Sequence, residues 1–188
     1  MELSDDNYFI EKIQMGEPEY FSRILDKYSK QVFALVVRIV DNREDAEELT
    51  QDIFMKVFHA LSSFQGKSSF STWLYKIAYN TAISATRKKQ RMYATIDVNI
   101  PDDDVEINVS PEEILNKLNM AIKQLSVDES FLIMLYYMQN KPIEEIVQIT
   151  GLTSSNVKTK LFRIRKKLFV LINKMENNEA LRHIKNAH

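Results

Sequence analysis

Lys141–Leu168 reads KPIEEIVQITGLTSSNVKTKLFRIRKKL, and its punctuation decides the fold. Pro142 suits the first position of a helix, where its missing N–H is not needed. Ile143, Ile146, Val147 and Ile149 give that short helix an apolar side. Gly151 suits the left-handed residue that ends it. Thr153 or Ser154 can then cap a second helix by accepting from a free backbone N–H. In that helix Val157, Leu161, Ile164, Leu168 and Leu171 recur at helical spacing and predict a buried stripe. Opposite the stripe lie Ser155, Thr159, Phe162, Arg163 and Lys166, flanked by Asn156, Lys158 and Arg165. The layout is that of a helix-turn-helix whose second helix enters the major groove of duplex DNA. A basic amphipathic helix is more often a solvated face, but here every charged residue from Lys158 to Lys167 is positive. The turn chemistry also falls between two amphipathic segments, which favours the DNA reading.

Working outward, Ser110-Pro111-Glu112-Glu113 predicts a helix start, with an N-cap, a first-turn proline and a capping-box glutamate. Ile114, Leu115, Leu118, Ile122 and Leu125 follow as its apolar residues. Ser126 and Glu129 form a second capping box ahead of Phe131, Leu132, Met134, Leu135 and Tyr136. On the N-terminal side a short helix is expected over about 6–15. A long one opens at Glu17-Pro18, with Phe21, Ile24, Leu25, Tyr28, Val32, Leu35, Val36 and Ile39 inward. Asn42 can cap a third, running to about Ser63 and burying Ala46, Leu49, Ile53, Val57 and Leu61. After the polar loop Gln65–Ser68, a fourth spans about 71–91 with Leu74, Ile77, Ala78, Thr81 and Ala85 inward. From Met92 to Ser110 the helical period stops, β-branched residues mix with carboxylates, and the stretch reads as an extended acidic linker. The expected architecture is all-α: a helical bundle over 6–92, an acidic linker over 93–110, a helix-turn-helix domain over 111–175 and a tail over 176–188. The tail reads as a frayed helix end or a disordered extension in preference to a regulatory contact.

Composition agrees. The chain has 188 residues, 45% of them hydrophobic, with only three glycines and four prolines, which suits helices rather than a sheet. Without cysteine, disulfides and thiolate metal sites are excluded. His59, His183 and His188 are too scattered for a metal cluster, and neither a cofactor nor a catalytic constellation is read from the sequence. No apolar run suits a membrane span and the acidic start MELSDD does not resemble a signal peptide, so the expected location is the cytoplasm. A net charge of −1 conceals segregation: basic clusters at Arg87–Arg91 and Lys158–Lys167, acidic ones at Glu44–Asp52 and along Asp97–Glu113. Separate patches of opposite sign suggest several partners.

Two further surfaces stand out. The helix carrying NREDAEELTQDIFMKVFHAL leaves Glu44, Glu48, Gln51, Asp52 and Met55 on one face, either a solvated acidic face or a dock for a basic partner. The helix carrying SSFSTWLYKIAYNTAISATRKKQR is expected to expose Tyr75, Lys76, Tyr79, Asn80 and Arg87, with Trp73 at the edge, and ends in Arg87, Lys88, Lys89 and Arg91. Aromatics interleaved with cations suit single-stranded nucleic acid, since bases stack while cations track phosphates. Trp73 is equally readable as core.

Together these segments resemble the extracytoplasmic-function group of bacterial RNA polymerase sigma factors. DAEELTQDIFMKVFHALSSFQGKSSFSTWLYKIAYNTAISATRKKQR, Asp45–Arg91, is similar to that family's second conserved region, and Leu125–Leu168 to its fourth. The resemblance implies a promoter-specificity subunit that is not itself an enzyme. It implies that Glu48, Gln51, Asp52 and Met55 dock on the β′ clamp of core RNA polymerase, and that the fourth region meets the β flap. The −10 element, held as a melted strand with a flipped-out base, would fall to Phe64, Lys67, Trp73, Tyr75, Lys76, Tyr79, Asn80, Arg87 and Lys88. The −35 duplex would fall to Thr153, Ser155, Asn156, Lys158, Thr159, Phe162, Arg163 and Lys166. The acidic linker would thread through the polymerase's cationic channels, and an anti-sigma factor is a further partner that such membership allows. Val147 departs from the alanine common in the family. Two rivals stand beside this reading. A stand-alone helix-turn-helix regulator would not need the aromatic–basic helix, and a helical adaptor would show no salt-dependent DNA affinity.

Overall fold

The computed structural model describes residues 5–40, 42–90 and 111–186, with side chains over 6–40, 42–86 and 112–175. The expected linker over 93–110, including its extended conformation, therefore lies outside the described residues. The described chain is helical: α1 (Asp5–Gln14), α2 (Phe21–Val36), α3 (Arg43–Ala60), α4 (Phe70–Gln90), α5 (Pro111–Ile122), α6 (Val127–Tyr137), α7 (Ile143–Thr150) and α8 (Ser154–Asn186).

Local signals set most boundaries. Asn42 caps α3, its Oδ1 accepting from Asp45 N–H at 2.6 Å. Ser126 and Glu129 form the reciprocal capping box of α6. Gly151 ends α7 at φ 74°, a left-handed backbone that a Cβ would strain. Thr153 Oγ1 accepts from Asn156 N–H at 3.2 Å at the start of α8. Two boundaries shift from expectation. Pro18 opens a 3-10 turn, Pro18–Tyr20, that runs into α2. Pro142 is the extended residue before α7 rather than its first helical one (φ −65°, ψ 157°).

α1–α4 form one lobe around Ile24, Val32, Leu35, Ile53, Val57 and Leu74, all fully buried. α5–α8 form the other around Phe131, Met134, Leu135, Ile146 and Ile164. The predicted stripe of α8 is buried throughout: Val157, Leu161, Ile164, Leu168 and Leu171. The predicted stripe of α4 is not. Ala85 is exposed, whereas Tyr75, Ala82 and Thr86 are buried. α4 touches α3 on one side and α6 and α7 on another, so its buried arc is wider and rotated from the one a single bundle requires. Leu115 is likewise exposed, and Lys117 takes the buried place on α5. The backbone of α8 continues as one helix to Asn186, so the tail extends the helix rather than leaving it.

Glu129 ties the C-terminal lobe together. Its carboxylate accepts from Ser126 N–H and from Lys167 Nζ, each at 2.8 Å, joining α6 to α8. Burial alone would raise its pKa, but the Lys167 and Ser126 hydrogen bonds outweigh burial and hold it below 4.5. The folded value lies below the unfolded one, so this stabilisation is present above the ordinary carboxylate range and is lost as pH falls through the folded value. Glu129→Gln keeps the capping box but not the charge. Thermal melting between pH 7 and pH 3 should therefore fall less steeply in Glu129→Gln than in the parent chain, and parallel curves would remove Glu129 from the acid response.

Candidate nucleic-acid interface

The α8 surface is built by its own cap and stripe. With Val157, Leu161 and Ile164 inward, the helix turns Ser155, Asn156, Lys158, Thr159, Phe162 and Arg163 outward, and Thr153 is exposed just before them. Lys166 is half-buried, its Nζ 5.3 Å from the centre of the Phe162 ring. Phe162 is 52% exposed, an unusual position for a large apolar ring unless something covers it. Lys167 serves the fold instead, through Glu129. An α-helix presenting cations, hydroxyls and one ring can hold phosphates and touch base edges in a groove.

The α3 surface is as the sequence predicts: Glu44, Glu48, Gln51, Asp52 and Met55 are exposed on one face, with Ala46, Leu49, Ile53 and Val57 beneath them. The loop between α3 and α4 carries Phe64, half-buried, and Lys67, exposed. Its base is fixed by α1, where Gln14 Nε2 donates to the carbonyls of Leu61 at 3.0 Å and Phe64 at 3.2 Å. Gly66 supplies the left-handed turn at φ 67°. Trp73 is half-buried and packs its ring on Phe64 at 5.2 Å and Phe70 at 5.8 Å, so it joins both readings, edge of the core and edge of the loop.

The α4 surface differs from expectation. Lys76 and Asn80 are exposed, but Tyr75 is buried at 1% exposure and Tyr79 is half-buried. The Arg87 and Lys88 side chains lie outside the described residues. Tyr75 and Tyr79 are covered by the other lobe. The Tyr75 hydroxyl lies 2.6 Å from Gln139 Oε1 and 3.0 Å from Gln31 Oε1. Burial pushes it well above its ordinary pKa of 10.0, so it is a neutral donor. Tyr79 donates to Asp128 Oδ1 at 3.3 Å and stands edge-on to Phe131 at 5.1 Å. One turn earlier, Thr72 donates to Glu145, and Lys141 Nζ bridges Ser71 Oγ at 2.7 Å and Glu145 Oε2 at 2.6 Å. Burial works to raise the pKa of Glu145, but the bonds from Lys141 and Thr72 win and leave it below 4.5.

The α6–α7 turn aims these groups. Asn140 adopts φ 48°, and the N–H groups of Gln139 and Lys141 donate back to Met134 O at 3.0 Å and Leu135 O at 2.9 Å. Sequence reading missed Gln31, Asp128, Gln139, Lys141 and Glu145 as partners of α4. No local signal carries them, because most of these contacts join residues 49 to 73 apart.

One lobe carries an acidic face and an aromatic helix, and it packs against another that bears an open helix-turn-helix. Residues 24–92 match the family model Sigma-70 region 2, and residues 115–168 match Sigma-70, region 4. A stand-alone helix-turn-helix regulator does not call for the first of these. The chain is 31% identical over 173 residues to the ECF RNA polymerase sigma-E factor of Escherichia coli K12, covering 85% of this chain and 90% of that one. It is 30% identical over 176 residues to the RNA polymerase sigma-H factor of Pseudomonas aeruginosa, covering 85% and 90%. In fold it is similar to the sigma factor RpoE of Bartonella quintana, solved in complex with the anti-sigma factor NepR. The TM-score is 0.61 and the identity 23%, over 81% of this chain and 96% of that one. The chain belongs to the extracytoplasmic-function group of the sigma-70 family, whose work is promoter-specific initiation of transcription.

Proposed function

We propose that this sigma factor divides promoter reading between its lobes: residues 6–92 dock on core RNA polymerase and hold the melted −10 strand, and residues 111–175 read the −35 duplex. The observation that carries the reading is the exposed α8 face, where Phe162, Arg163, Thr159 and Lys158 stand over a buried apolar stripe. Glu48, Gln51, Asp52 and Met55 form the surface for the polymerase β′ clamp, and the C-terminal lobe meets the β flap. The −10 site is assigned to Phe64, Lys67, Trp73, Tyr75, Lys76, Tyr79, Asn80, Arg87 and Lys88. Residues 93–110 form the acidic tether between the units and 176–188 a tail. Polymerase supplies the catalysis, and the chain supplies position: two weak contacts on one tether become one strong one by effective concentration. The likeness to a sigma factor solved with its anti-sigma factor supports an anti-sigma partner here too. Among the described residues no helix is long and apolar enough to cross a membrane, which accords with work in the cytoplasm.

Run-off transcription with core polymerase on genomic fragments tests the reading, and absence of any selected start site overturns it. Arg163→Ala, at an exposed position, should weaken −35 duplex binding by about 1–3 kcal/mol if it reads a base, roughly five- to 150-fold, with selectivity lost at one position. A uniform loss across sequences that shrinks with added salt marks a phosphate contact instead. Unchanged promoter recruitment removes Arg163 from the reading face.

A further inference from the structure

The loop between α3 and α4 is held at both ends and exposed in the middle. Leu61 is buried at one end, and Phe64 N–H donates back to its carbonyl at 3.1 Å, closing the 3-10 turn Leu61–Ser63. Ser69 fixes the other end by capping α4, its Oγ accepting from Thr72 N–H at 3.2 Å. Between them Gln65, Gly66 and Lys67 are exposed. Phe64 is the extended residue that ends the turn, at φ −68° and ψ 118°, so its carbonyl leaves the 3-10 ladder. Gln14 of α1 takes up that carbonyl together with the one at Leu61. We propose that Gln14 is a positioning residue for −10 recognition: it sets the direction in which the loop leaves Phe64, and so decides which base the loop accepts. The inference rests on the −10 role proposed above for Phe64 and Lys67.

Three observations carry it. The side-chain amide of Gln14 has two N–H donors, and the two carbonyls use both of them. One side chain therefore clasps both ends of the turn that launches the loop. Second, the clasp stands on a fixed base. Ile10 is buried, and the Asp6 carboxylate accepts from Lys27 Nζ and from the Tyr28 hydroxyl, each at 2.6 Å, so α2 and not the loop sets where α1 lies. Lys12 and Glu17 pair at 2.9 Å across the end of α1, beside Gln14. Third, the clasp falls where a small change is amplified. Lys67 lies three residues beyond Phe64, up to ~10 Å along an extended chain, so a rotation of about 10° at Phe64 carries it by ~1–2 Å. Recognition needs its contacts held to within about 0.5 Å, so that displacement spoils a base contact. The Phe64 ring, packed on Phe70 and Trp73, fixes the side chain, and Gln14 fixes the backbone. Gln14 is itself exposed, so water can replace its two hydrogen bonds and the fold loses little without it.

The test uses the full chain with core polymerase on promoter fragments in which each −10 position is varied through the four bases. Gln14→Ala should lower discrimination at one −10 position about three- to tenfold, the scale of one or two hydrogen bonds. Its Tm, its capture of core polymerase and its −35 duplex affinity should match those of the parent chain. Gln14→Glu, nearly isosteric but without the N–H donors, should lose the same discrimination. Gln14→Lys restores a donor to the carbonyls and should recover it. An unaltered base profile in Gln14→Ala overturns the proposal. A loss equal at every base, with a lowered Tm, marks a merely structural role and also overturns it. Failure of lysine to rescue does the same, because it makes the glutamine a direct reader of DNA and not a support. Phe64→Ala and Lys67→Ala on the same fragments separate this failure from that of the underlying reading. If they change the profile and Gln14→Ala does not, only the positioning role falls. If none of the three changes it, the −10 role of the loop falls as well.

Discussion

Reversing Glu48 and Asp52 together, as Glu48→Lys with Asp52→Lys, is expected to lower capture of core RNA polymerase by about one to two orders of magnitude while leaving the fold intact. Both side chains are exposed one turn apart on α3, above Ala46, Leu49 and Ile53. Two like charges at that spacing repel weakly on a helix, so their loss does not cost α3 stability. The reversal replaces two carboxylates by two ammonium groups, and a basic docking surface that attracted the first pair repels the second. Exposed charges act through water and salt, so the parent's capture should weaken as ionic strength rises and the variant's should not. The measurement is co-purification with core polymerase across a salt series, beside a thermal melt. A variant that melts normally and still co-purifies returns this face to plain solvent.

That surface was legible because a helix needs only its own period to declare a face. The same holds for the caps at Asn42, Ser126 and Gly151, each a local backbone requirement met by a local residue. The α8 stripe and its exposed opposite side were legible for the same reason. What escaped was set by the packing of one lobe on the other. The helical period puts Tyr75 on an open face, but its hydroxyl meets Gln31 of its own lobe and Gln139 beyond α6, and the residue is buried. Ala85 shows the converse, an apolar residue at an inward period that faces out. Lys167 belongs to a cationic run that reads as one DNA face, yet Glu129 recruits it to the fold. Pro142 shifted by one residue because proline fixes φ but not ψ, and it fits both the residue before a helix and the first within it. Amino-acid pattern therefore gives the candidate −35 and polymerase faces almost complete. For the −10 face it gives the residue types but not their covering.

Ile164→Ala should strongly destabilise the C-terminal lobe. Ile164 is 1% exposed in the middle of the α8 stripe, where the helix packs against α5, α6 and α7. Truncation removes three carbons from a filled site and costs about 2–5 kcal/mol through lost burial and the cavity left behind. Set against a total stability of about 5–15 kcal/mol, that fraction lowers Tm by roughly 10 °C or more. Duplex binding should fall with it, but only as the folded fraction falls, and cooling should restore it. Phe162, two residues earlier, is 52% exposed and should behave in the opposite way. Phe162→Ala removes a ring that the fold barely uses, so Tm should hold while −35 affinity drops at every temperature. The two profiles, read by a thermal melt and a binding isotherm at two temperatures, separate support from contact on one helix. If Ile164→Ala leaves Tm unchanged, the stripe is not the core of this lobe, and the orientation of α8 that aims every proposed duplex contact is wrong.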